Sequence, residues 1–140
     1  MKKKTDQQIK EAMRKKCVQK AKDISKKRDD YKCQYCGIGK PQRQVHSHHI
    51  FHEGMFRSMS ADPDNLITVC ATHHQGGIWM KSNSGFNFHN SPRESTEWFM
   101  EKYPDRYYSL KMRSMVVCKL DLMFWQNKYE ILKKLGRLGK

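Results

Sequence analysis

The sequence predicts an α+β fold: a small strand–strand–helix core flanked by amino- and carboxy-terminal α-helices. Three observations predict it. Apolar side chains recur at three- and four-residue steps in residues 1–28 and 91–136, the period of a helix with one buried stripe. Residues 45–51 and 65–69 are short and rich in Val, Ile, Phe and Thr, as strands are. Cys33, Cys36, Cys70 and His73 form two pairs three residues apart, the spacing of a metal staple that a small core needs.

With 140 residues the chain has room for one compact domain. Its parts are a basic helical arm at 1–28, the stapled core at 29–77 and carboxy-terminal helices at 91–136. In the arm, Ile9, Ala12, Met13, Cys17, Ala21 and Ile24 make the apolar stripe, and Thr5 or Asp6 is the N-cap. Cys17 reads as a small core residue on that stripe. Cys33, Cys36, Gly37, Gly39 and Pro41 mark a tight knuckle and loop. A short helix begins near Cys70 or Ala71 and stops before Gly76-Gly77. Residues 78–90 read as irregular. Ser91, Pro92 and Glu94 then spell a capping box with Pro at the first helical position; Trp98 and Phe99 make the apolar face. Tyr103-Pro104-Asp105 breaks that helix. From 105 to 135, Tyr108, Met112, Met115, Val116, Leu120, Met123, Phe124, Ile131 and Leu135 set the pattern of one helix or two, with Gly136 as a stop.

Charge and cysteine usage narrow the function. Lys and Arg number 28 against 14 Asp and Glu, a formal net charge of +14. Residues 1–28 alone hold twelve basic and three acidic side chains. Such an excess favours a polyanionic partner, nucleic acid above all. No apolar run is long enough to span a bilayer, which excludes a membrane partner. No apolar region follows Met1-Lys2-Lys3-Lys4, so a secretory signal is not expected and the chain reads as cytoplasmic. The five cysteines, an odd number, argue against a disulfide framework. Cys33, Cys36, Cys70 and His73 instead suit a closed, tetrahedral structural Zn²⁺ site.

Between and beside these ligands stand His48, His49, Asn65 and His74. Phosphodiester hydrolysis needs an activated water, stabilisation of charge on phosphorus and help for the leaving oxygen. A neutral imidazole can take the proton from water near neutral pH. A divalent cation with open positions can serve the phosphate and the leaving oxygen. Strand alternation puts His48 and His49 on opposite faces unless the strand ends or bulges there. His73 and His74, about 100° apart on a helix, can face two different sites.

The string from Cys33-Gln34-Tyr35-Cys36-Gly37 through His48-His49-Ile50 to Asn65-Leu66-Ile67-Thr68-Val69-Cys70-Ala71-Thr72-His73-His74 resembles the HNH endonucleases, the ββα-metal or His-Me finger nucleases. It is most like the small phage and bacterial members with an embedded, treble-clef-like zinc knuckle. The resemblance implies a cytoplasmic setting in a bacterial or phage-infected cell. It implies that His49 is the general base, that Asn65 ties the second strand to the first and orients that base, and that His48 and His74 bind the catalytic metal. Many members carry Asp where this chain has His48. The exchange removes a negative charge and shifts preference from Mg²⁺ toward Mn²⁺, Ni²⁺ or Zn²⁺, so the metal stays open among these four. His89 is a candidate third ligand; His46, His52 and Arg57 are candidates of lower rank.

The expected function is therefore a metal-dependent DNA endonuclease that holds DNA mainly through its phosphates. Two alternatives stay open: a non-catalytic zinc-knuckle module that binds nucleic acid, and an RNA-directed nuclease, since nothing in the sequence senses a 2′-hydroxyl. The apolar surface of the carboxy-terminal helices is compatible with a homodimer.

Overall fold

The computed structural model describes residues 1–75 and 87–138. In chain order its elements are α1 (Asp6–Arg28), β1 (Val45–His49), β2 (Leu66–Cys70), α2 (Ala71–Gln75), α3 (Pro92–Lys102), α4 (Pro104–Ser114) and α5 (Leu122–Leu138), with 3₁₀ turns at Arg57–Met59 and Pro63–Asn65. The strands pair antiparallel, Val45 opposite Cys70 and His49 opposite Leu66. Because α2 follows β2 directly, the centre is the ββα unit that the sequence predicts, and the fold is α+β.

Helix α1 starts at Thr5, whose hydroxyl accepts from the Gln8 N–H at 3.2 Å while the Gln8 side chain accepts from the Thr5 N–H at 2.9 Å. This reciprocal box satisfies two donors that a helix start leaves open. Lys26, Lys27 and Arg28 fill the last turn, where the helix dipole favours cations. The buried stripe is Cys17, Val18, Ala21 and Ser25. It lies later along the helix than expected: Ile9 is 41% exposed, and the first half of α1 meets the body through the partly buried Met13 and the ion pairs of Glu11 and Arg14. The buried Cys17 donates its S–H to the Trp125 carbonyl at 3.2 Å.

All five residues of β2 are buried because helices cover both of its faces. Leu66 joins Cys17, Val18, Ala21, Ala61, Trp125 and Leu132 between α1 and α5. Ile67 and Val69 join Cys33, Met59, Phe88, Phe99 and Leu110 on the α3–α4 side. Polar ties fix α1 to the strand. The Asp29 carboxylate accepts from the Thr68 N–H at 2.9 Å, and the Arg28 guanidinium donates to the Leu66 carbonyl at 2.7 Å. Arg106 donates to the same carbonyl and to that of Asp64.

Three local expectations change, and one open alternative is settled. Strand β1 stops at His49 rather than residue 51, because Phe51 turns to pair with the Asn65 side chain. Helix α3 does begin with Pro92, but the Ser91 side chain makes no capping bond; its ψ of 60° is not the extended backbone of a regular N-cap. The stretch from 105 onward is two helices separated by residues 115–121. Leu110, Trp125 and Leu132 carry their buried faces, while Met112, Met115, Val116, Met123, Ile131 and Leu135 are exposed. Gly136 lies inside α5 beside α1, where a Cβ would meet the flexible end of Lys20 at 3.3 Å; it does not end the helix. The irregular stretch expected at 78–90 lies largely outside the described residues. Among those residues no helix is long and apolar enough to cross a membrane.

Candidate metal centre and histidine cleft

Cys33 and Cys36 sit on the knuckle after α1, whose turn places Gly37 at φ +79°, a backbone conformation that side chains with a Cβ rarely adopt. Cys70 ends β2 and His73 is one turn on in α2. The four ligand atoms all lie within 4.8 Å of one another. Tetrahedral zinc with ordinary Zn–S and Zn–N bonds has ligand–ligand edges of about 3.6–3.8 Å. The Cys33 Sγ–His73 Nδ1, Cys36 Sγ–Cys70 Sγ and Cys70 Sγ–His73 Nδ1 distances are 3.7, 3.9 and 3.2 Å.

Donor chemistry agrees with this geometry. Burial and the neighbouring thiols of Cys33 and Cys70 push the Cys36 thiol up to about 11. Burial would also raise Cys70, but the His73 backbone N–H and the Arg43 guanidinium, 3.7 Å from its sulfur, bring it below the usual thiol range. Three converging thiols are costly to ionise together without a cation, and a structural dication such as Zn²⁺ supplies one.

A second group of side chains lines a cleft of about 210 Å³ on the other side of α2: Lys22, Ser47, His48, His49, His52, Glu53, His74, Gln75 and His89. His48 and His49 both reach it because β1 ends there, which resolves the conflict with strand alternation. The His48 and His74 rings meet edge-on at 5.7 Å, and His46 stacks on His74 at 5.3 Å. Burial, then the charges of His74 and His49, lower His48 to about 3. Burial, then His46 and His89, lower His74 to about 4. Both imidazoles are thus neutral at physiological pH, with nitrogen lone pairs available to a divalent cation. As a donor set they fit such an ion, though among the described residues only the Cys33 set brings three or more donors together.

His49 is held differently. Its Nε2 lies 2.8 Å from the Ser60 carbonyl, which can only accept, so the proton is on Nε2 and the lone pair is on Nδ1. Burial lowers its affinity for a proton, while the Ser60 carbonyl and Glu53, whose carboxylate is 3.9 Å from Nε2, act in the opposite sense. Asn65 is fully buried and does not line the cleft. Its amide donates to the carbonyls of Phe51 and Met59 at 3.0 and 3.2 Å and accepts from the Phe51 N–H at 2.7 Å. It thereby closes the 51–59 loop, whose ends flank His49 and Ser60.

The structure therefore brings His48, His49, His74 and His89 to one cleft, puts His73 with the cysteines, and sets Asn65 behind His49. His89 is exposed, 6.3 Å from His74 between ring centroids. His52 also lines the cleft. Arg57 does not: it pairs with Glu11 at 2.8 Å. Sequence reasoning passed over Lys22, Glu53 and Gln75. Lys22 is one of twelve basic residues in the arm, and only the docking of α1 distinguishes it. Glu53 had a local signal, four residues after His49.

No curated protein and no solved structure matches the chain. Residues 33–76, the stretch that contains the candidate metal ligands Cys33, Cys36, Cys70 and His73 and their neighbours His48, His49, Asn65 and His74, match the family model of the HNH endonuclease.

Proposed function

We propose that the chain is a metal-dependent DNA endonuclease in which His49 activates water. The observation that carries this reading is the tautomer of His49: its Nε2–H is spent on the Ser60 carbonyl at 2.8 Å, leaving Nδ1 as a base in a cleft shared with two neutral imidazoles. In the proposed step Nδ1 takes a proton from water, the resulting hydroxide attacks phosphorus, and the bond from phosphorus to the 3′-oxygen breaks; the departing oxygen takes a proton from solvent water, giving 5′-phosphate and 3′-hydroxyl ends. A divalent cation bound by His48 and His74, with His89 as a third candidate, would stabilise charge on the phosphate and the leaving oxygen. Asn65 keeps Ser60 and His49 in register through the loop between them. The basic arm would supply affinity for the DNA backbone.

Supercoiled plasmid incubated with the zinc-loaded chain and Mg²⁺, Mn²⁺, Ni²⁺ or Zn²⁺ in turn tests the proposal. Nicked or linear product in at least one metal is expected. Binding of the plasmid with no product in any metal would favour a zinc-knuckle binding module, which the charge and the cysteine set alone would equally suit. Product from RNA but not from DNA would redirect the substrate assignment.

A further inference from the structure

We infer that Lys22 and Lys26 of α1 form a phosphate-binding track, with Lys22 on the scissile phosphate and Lys26 on its neighbour in the same strand. The inference rests on the nuclease reading for the word scissile, but the track itself is a property of the surface. Both lysines lie outside the segment that matches the HNH model.

Lys22 is half-buried and lines the cleft beside His48, His49 and His74. Among the described lining residues it alone is a fixed cation. Helix α1 is not a loose arm at this point. The Ser25 and Ser47 hydroxyls meet at 3.3 Å, and the Ser25 carbonyl accepts from Thr68 Oγ1 at 3.5 Å, so the helix lies on the sheet one turn from Lys22. Lys26 follows at i+4, about 6 Å along the axis on the same face, close to the step between adjacent phosphates of one strand. Proximity to the histidines is also visible electrostatically. Behind burial, which dominates, Lys26 and Lys22 are the charges that hold His46 down, and Lys22 acts on His49 and His74 as well.

Three arginines of the described residues are already engaged. Arg14 is paired with Glu11 and Glu53, Arg57 with Glu11, and Arg28 with Asp29. Among the described residues neither the Lys22 nor the Lys26 ammonium has an ion-pair partner. Two half-buried ammonium groups without ion-pair partners, one helical turn apart and one of them lining the histidine cleft, suit a ligand that brings its own negative charges at regular spacing.

The test compares Lys22→Met, Lys26→Met and Lys27→Met in the full, zinc-loaded chain; Met keeps the apolar stem and removes the charge. Lys27 is the control, an exposed neighbour about 100° around the helix. Affinity for a short DNA duplex is measured against salt without added catalytic metal, and single-turnover cleavage is measured with it. Lys22→Met and Lys26→Met should each flatten the plot of log K against log salt by about 0.9, one phosphate contact apiece; Lys27→Met should leave the slope unchanged. At saturating DNA, Lys22→Met should cut about 10- to 100-fold more slowly and Lys22→Arg should recover part of that loss, whereas Lys26→Met should chiefly raise the half-saturating DNA concentration. Equal slopes in the three variants, or wild-type cleavage by Lys22→Met, would overturn the assignment. If the wild type gives no product in any metal, the nuclease reading fails and the slopes alone decide on the track.

Discussion

Asn65 illustrates how much one buried side chain can decide. Its three hydrogen bonds satisfy the Phe51 N–H and carbonyl and join the Asp62 N–H on the Met59 carbonyl. Removing one partner of a buried bond leaves the desolvation cost of the other. Asn65→Ala should therefore destabilise the protein by about 2–4 kcal/mol, read as a lower urea midpoint, and cleavage should fall further than the unfolded fraction explains. Glu11 is a gentler case. Hydrogen bonds and charge from Arg14, then Arg57, outweigh its desolvation and take its carboxyl from an ordinary 4.5 to about 2. Because the folded state holds this proton more weakly than the unfolded state, the stabilisation is complete above pH 4.5 and fades as pH falls toward 2. Urea midpoints of wild type and Glu11→Gln should differ modestly at pH 6, the pair being near the surface. The difference should close as the pH approaches 2.

Among elements, the pairing of α1 with α5 carries the second half of the core. Leu132 is 1% exposed between them, and Leu132→Ala should cost about 2–5 kcal/mol by the lost burial and the cavity left behind. Chemical denaturation measures the loss. On the same seam a Cβ at Gly136 would sit 3.3 Å from the Lys20 Cε. This contact was not legible in the sequence, where a glycine near the chain's last helical residues has the form of a stop. The α4–α5 core was misphased for a related reason: methionines and branched residues on exposed faces copy the period of a buried stripe. The two strands and α2 were readable because their signals are local, and the Cys33–Cys36 and Cys70–His73 pairs were readable because each lies within one turn. The convergence of His48 and His49 was not readable from alternation alone. It depends on β1 ending at His49, which the distant Asn65 enforces through Phe51. Lys22 was hidden for the same kind of reason, since twenty-five residues separate it from Ser47 in the chain and only helix docking brings them together.

At the scale of the whole molecule, the candidate zinc set and the cleft meet at α2, and the strands that carry them, β2 and β1, are paired. Cys70, His73 and His74 lie within five consecutive residues, so metal loss at the cysteines should not stay local. Stripping zinc with a chelator, followed by return to Mg²⁺ or Mn²⁺ alone, should lower the thermal midpoint and abolish cleavage, and restoring zinc should recover both. Elemental analysis should find one tightly held zinc per chain before treatment. Retained cleavage in a chain shown to be zinc-free would separate the staple from the site.

The central claim is that His49 is the base. It is tested most directly by single-turnover DNA cleavage by His49→Ala beside the wild type, with both proteins shown to be folded and zinc-loaded. The rate should fall by about 10²- to 10⁴-fold with DNA affinity little changed. A variant that cuts at the wild-type rate would contradict the assignment.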